Sequence, residues 1–138
     1  MAKEKVFINI PKVFLEKMIT HAFQEYPLEC CGILAGKNCK VWKIFPMKNM
    51  ERSSSSYFMD PEEQYQVFKE IEQEELELLA IYHSHPHSPA YPSPKDIELA
   101  FYPETSMIII SLLNPQKPSI KAFQVKERKV KKQTLKYF

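Results

Sequence analysis

No stretch of this chain holds the roughly 18 consecutive apolar residues that cross a bilayer, so a membrane partner is not expected. The opening run, Met1-Ala-Lys-Glu-Lys-Val-Phe7, lacks the apolar core of a secretion signal. Cysteine is scarce and odd in number, and two of the three, Cys30 and Cys31, are adjacent, which argues against a disulfide framework. A reducing, cytoplasmic setting is expected from this usage. Neither sign of charge dominates: 19 Lys and Arg face 17 Asp and Glu, so no global field draws the chain to nucleic acid. His-Glu-x-x-His and Pro-Cys-x-x-Cys are both missing, which removes the zincin and nucleobase-deaminase readings.

What is present fits one soluble domain over residues 1–138, with 44% hydrophobic and 26% charged residues. Val6–Ile10 reads as a short edge strand. Pro11 suits the first turn of a helix in which Leu15, Met18, Ile19, Ala22, Phe23 and Tyr26 recur at spacings of three and four; Pro27 ends it. Glu29–Ala35 reads as a buried strand and Cys39–Met47 as its hairpin partner. Alternation places Glu29, Cys31, Ile33 and Ala35 on one face, so a glutamate opens an otherwise apolar strand.

The polar run 51–56 reads as a loop. Asp60-Pro-Glu-Glu63 offers a helix cap, a proline at the first helical position and a capping-box glutamate. Leu76–Tyr82 reads as a central strand. Ser93-Pro-Lys-Asp96 starts a second capped helix, expected to stop at Pro103, and Met107–Leu113 is the most apolar strand. Residues 119–138 supply one or two more strands. The fold class expected is α/β, an α+β sandwich of a mixed, mostly antiparallel sheet flanked by helices.

The chemistry gathers between Ile81 and Asp96, which holds three of the four histidines. On an extended backbone His83 and His85 project to the same side and can reach one metal ion. Asp96, brought back by a proline-rich loop, would be a third ligand and leave a fourth tetrahedral position for water. Capping alone also explains Ser93 and Asp96, but it leaves the two same-face histidines unexplained. Cys30 and Cys31 read as buried packing rather than reactive thiols, while Cys39 gives no ligand spacing with them. His87 reads as a solvent histidine and His21 as structural or exposed. The lysines of 121–136 read as protection of an edge strand, with an acidic partner as the alternative.

His83-Ser-His-Pro86, six residues, Ser93, two residues and Asp96 together resemble the signature of the JAMM (MPN+) zinc metalloproteases of the Mov34/PAD-1 superfamily, with no departure in spacing. The resemblance covers roughly Val6 to Val125 and is closest to the small prokaryotic members. It implies a cytidine-deaminase-like JAMM fold and one Zn²⁺ per chain held by His83, His85 and Asp96. It also implies a general base in Glu29 and an oxyanion donor in Ser93; Glu25 is the nearest competitor for the base but falls within the first helix. The substrate class implied is a ubiquitin-like or sulfur-carrier protein, cut after a C-terminal Gly-Gly tail by a monomer or weak homodimer. A zinc peptidase acting on short peptides, or a non-catalytic MPN scaffold, is the alternative.

Overall fold

The structure, a computed structural model, describes residues 7–137, so Val6 and Phe138, assigned above to the first and last strands, lie outside the described residues. In chain order the elements are β1 (Phe7–Ile10), α1 (Lys12–Glu25), β2 (Cys31–Lys37), β3 (Lys40–Met47), α2 (Pro61–Gln73), β4 (Glu77–His85), α3 (Pro94–Glu98), β5 (Ser106–Ser111), β6 (Ser119–Lys126) and β7 (Lys129–Tyr137).

The strands form one mixed sheet in the order β1-β3-β2-β4-β5-β6-β7, closed on itself through β1. Parallel pairing occurs where β1 meets β3 and β7 and where β4 meets β5; the other four pairings are antiparallel. The first strand is therefore no edge strand. Its residues pair in register from Phe7↔Thr134 to Ile10↔Tyr137 on one side and touch β3 at Asn9↔Lys40 on the other. Closure fits the burial of Ile8 and Ile10, which pack in the core together with Met18 and Ala22 of α1. Lys129 and Lys132 lie on the stretch of β7 that β1 does not reach.

Alternation along β2 sorts its side chains between two cores. Cys30 and Leu34 pack on the α1 side, and Cys31, Ile33 and Ala35 on the other, where Ile71, Val67 and Phe68 of α2 close over them. Burial pushes the Cys30 thiol up to about 12 and raises that of Cys31 as well, so both remain protonated packing groups. Gly32 lies under the ring of Tyr82; a Cβ there would come 2.2 Å from it. The Tyr82 hydroxyl in turn lies 2.8 Å from His21 Nδ1, which gives that histidine a structural partner on α1.

Several boundaries differ from the sequence reading. Pro11 precedes α1 as its cap, its extended backbone closing β1 while its carbonyl accepts from Phe14 N–H and Leu15 N–H. Asp60 caps α2 by accepting from Glu62 N–H, but Glu63 completes no capping box: its carboxylate accepts from Lys48 N–H at 3.2 Å and ties α2 to the end of β3. β4 runs three residues further than expected because β2 and β5 pair with it as far as His83 and His85. α3 ends at Glu98, well short of Pro103. That proline disfavours helix only at Tyr102, directly before it, and Leu99, Phe101 and Tyr102 instead line a cleft. No helix among the described residues is long and apolar enough to cross a membrane.

Candidate metal and hydrolytic site

His83 and His85 end the central strand, buried to 0% and 4% exposure. Ser84, between them, faces the opposite way. It exchanges two hydrogen bonds with Cys30, donating its N–H to Cys30 O at 3.1 Å and accepting from Cys30 N–H on Oγ at 2.7 Å. Beyond His85 the proline loop is packed down. Ser111 Oγ donates to Ser88 O at 2.6 Å, Ala90 is buried against Ile109 and Phe123, and the Tyr91 ring lies edge-on to Phe123. That loop returns the chain to α3, where Ser93 and Asp96 form the reciprocal box the spacing predicts. Asp96 N–H donates to Ser93 Oγ at 3.0 Å, and Ser93 N–H donates to Asp96 Oδ2 at 2.9 Å.

The result is a triangle. His83 Nε2, His85 Nε2 and Asp96 Oδ2 stand 3.1 Å from one another on every side. Donor atoms around a tetrahedral zinc at 2.0–2.1 Å lie roughly 3.3 Å apart, so the three atoms match one face of such a site. The tautomer agrees. His85 Nδ1 lies 2.9 Å from the Pro89 carbonyl and carries the proton that this bond needs, which leaves Nε2 a bare lone pair turned toward the other two donors. Two imidazole lone pairs and a carboxylate oxygen at such distances repel one another unless a cation stands among them. Without a cation, protons on the two Nε2 atoms take its place: burial works against the Asp96 charge, but hydrogen bonds donated by His83 and His85 in that protonated state outweigh it and hold the carboxyl well below its ordinary range. His83 Nδ1, by contrast, is buried without a hydrogen-bond partner among the described residues, and the Tyr57 ring lies against the His83 ring with centroids 4.9 Å apart.

Glu29 lies just before β2 rather than within it. It is 3% exposed, and its Oε1 is buried with no hydrogen-bond partner among the described residues. Burial pushes its pKa up to about 7, the nearby His85 pulling it down and Asp96 pushing it further up. A buried carboxyl poised near neutrality beside a candidate ligand set is the usual signature of a proton-transfer group. Glu25 is the last residue of α1. His87 is exposed, its ring edge-on to that of Tyr26, as expected of a solvent histidine.

Three residues near the site carried no signal in the sequence: Ser84, Tyr57 and Asn49. A further feature is a cavity of about 220 Å³ with Asp96 in its wall, lined by Tyr57, Phe58, Ile81, Leu99, Phe101 and Tyr102. Phe58 and Phe101 are 52% and 71% exposed around it.

This fold is that of the JAB/MPN proteins, and its class is a peptidase of the JAMM type. Residues 11–126 match the family described as prokaryotic homologs of the JAB domain, and the chain belongs to that family. It is 32% identical over 128 residues to the CysO-cysteine peptidase of Mycobacterium tuberculosis, covering 91% of this chain and 88% of that one. With a probable TtuB-protein conjugate cleaving protease of Thermus thermophilus it shares 41% identity over 94 residues, 67% of this chain and 63% of that one. A solution structure of a protein from Desulfitobacterium hafniense superposes with a TM-score of 0.85 at 37% identity, covering 95% and 92% of the two chains.

Proposed function

We propose that this chain is a cytoplasmic zinc peptidase that hydrolyses the peptide or isopeptide bond after the C-terminal Gly-Gly of a ubiquitin-like or sulfur-carrier protein. The observation that carries the reading is the 3.1 Å triangle of His83, His85 and Asp96 standing near a buried carboxyl whose Oε1 has no partner. The substrate class is supported by the relatives, named for cleavage of CysO-cysteine and of TtuB conjugates.

His83, His85 and Asp96 would hold the zinc, which when bound supplies a Lewis acid and lowers the pKa of water toward 7. Glu29 is the general base. With its pKa near 7 and one oxygen unpartnered, it takes a proton from water at neutral pH and returns it to the leaving amine. Ser93 Oγ already accepts from Asp96 N–H, so its own proton is available to the developing oxyanion. Cap and oxyanion donor are thus one side chain. A diglycine tail lacks side chains and can lie extended close to the ligands, while the aromatic-walled cavity beside Asp96 receives an apolar side chain of the same substrate segment.

Incubation with sulfur-carrier proteins extended beyond Gly-Gly, followed by mass measurement of the products, tests the proposal. Cleavage after the second glycine, abolished by a chelator and restored by zinc, is the expected result. Cleavage that survives metal removal would overturn it.

A further inference from the structure

The backbone that carries Glu29 belongs to no strand, yet it is held at every polar group. Glu29 N–H donates to Ser53 O at 2.8 Å, and Glu29 O accepts from Asn49 Nδ2 at 3.1 Å. Asn49 is 4% exposed, and its amide is fully used. Nδ2 donates a second bond to Ser56 O at 3.0 Å, while Oδ1 accepts from Glu51 N–H at 3.0 Å and from Phe58 N–H at 3.1 Å. Two carbonyls on one side and two N–H groups on the other permit a single orientation of the amide, and no other side chain of this size offers two donors and two acceptors.

These bonds knot the loop from Met50 to Phe58, whose ends are also joined by an Asn49↔Met59 bridge and by Met50 N–H to Phe58 O at 2.8 Å. The same loop lays Tyr57 on His83. It also reaches α3, where Glu51, bonded by the Ser56 hydroxyl, lies 3.6 Å from Lys95 Nζ, next in sequence to Asp96. One buried amide thus touches the main chain of the base and organises the loop that leans on a metal ligand.

We propose that Asn49 is a positioning residue of the hydrolytic site, its side-chain amide setting the place of Glu29 relative to the metal ligands by locking the Glu29 carbonyl to the Met50–Phe58 loop. This rests on the reading of Glu29 as general base. Asn49→Asp keeps the two acceptor contacts but turns a carboxylate oxygen toward the Glu29 and Ser56 carbonyls, so both donor bonds are lost and the segment is pushed away. A catalytic group displaced by about 1 Å typically costs on the order of 10²-fold in rate.

The test compares wild type, Asn49→Asp and Glu29→Gln on one Gly-Gly-extended carrier protein, with zinc content and amide hydrogen exchange measured on the same samples. For Asn49→Asp, kcat should fall about 10²-fold with KM changed less than about threefold. Zinc should stay at the wild-type content, and the amide of Glu29, bonded to Ser53 O, should lose protection. Wild-type kcat in Asn49→Asp, with Glu29→Gln inactive, overturns the role of Asn49 and leaves the base in place. Loss of zinc together with rate overturns it as well, because Asn49 then merely supports the fold. Full turnover by Glu29→Gln sinks the base and this proposal together. If Asn49→Asp does not fold, Asn49→Ser is judged by the same four measurements.

Discussion

The proposed metal-ligand half of the site and the proposed base half are built by different means. His83 and His85 end a strand paired on both sides, and Asp96 sits in the first turn of a capped helix, so each ligand is delivered by repetitive structure. Glu29 stands on a short irregular segment between α1 and β2 and is held through its main chain by Ser53 and Asn49, with Ser84 clasping the next residue. The difference follows from what each half must do. Ligands need fixed mutual distances, which a strand end and a helix cap supply. A proton carrier needs a carboxyl that is buried, unpartnered and correctly aimed, and a side chain within a regular ladder on a packed face has less room for that.

Removing a ligand is expected to have the largest effect. Asp96→Ala deletes one corner of the triangle and one arm of the capping box, so bound zinc and peptidase activity should both be lost. Metal analysis alongside an activity assay checks this; a variant that keeps its full zinc content would break the comparison, because Asp96 would then be a cap alone. Glu29→Gln should separate the two halves. It keeps the volume, removes the proton acceptor and leaves the triangle untouched, so zinc is retained while kcat falls by about 10²–10⁴-fold. Wild-type turnover in this variant would place the base elsewhere.

The same contrast governs what could be read from the sequence. His83, His85, Ser93 and Asp96 fall within fourteen positions, and two local rules suffice to bring them together: same-side projection along a strand and reciprocal capping at a helix start. The α2 start and the order of helices and strands are local in the same sense. Glu29 was visible only as a charge opening an apolar strand and through the family resemblance. Asn49 lies 20 residues from Glu29 and Ser84 lies 54 from Cys30, contacts that no periodicity encodes. Sheet closure was hidden for the same reason, since Ile10 and Tyr137 meet only across nearly the whole chain. A short strand bounded by proline reads naturally as an edge; only the folded partner shows that it closes the sheet.

The subtlest test of the comparison is electrostatic, because the two carboxyls depart from ordinary values in opposite directions. In protein stripped of metal, Asp96 is held low, so it contributes stability above its ordinary pKa of 3.8 that is lost as pH falls. Glu29 is raised from 4.5 to about 7, so the folded state binds its proton more tightly than the unfolded chain does. Between those values the folded protein carries the extra proton, and stability must fall as pH rises from about 4.5 to 7, by on the order of 3 kcal/mol in all. Below that window Glu29 adds no slope, and above it the penalty of a buried anion is constant. Urea unfolding of chelator-treated wild type and Glu29→Gln across this range reads the contribution of Glu29 together with its coupling to His85 and Asp96. The variant should gain on wild type steadily as pH climbs to 7 and then hold its lead. Parallel stability curves for the two proteins would mean that Glu29 is solvated in solution, and the contrast between a rigid ligand half and a buried, desolvated base half would fail.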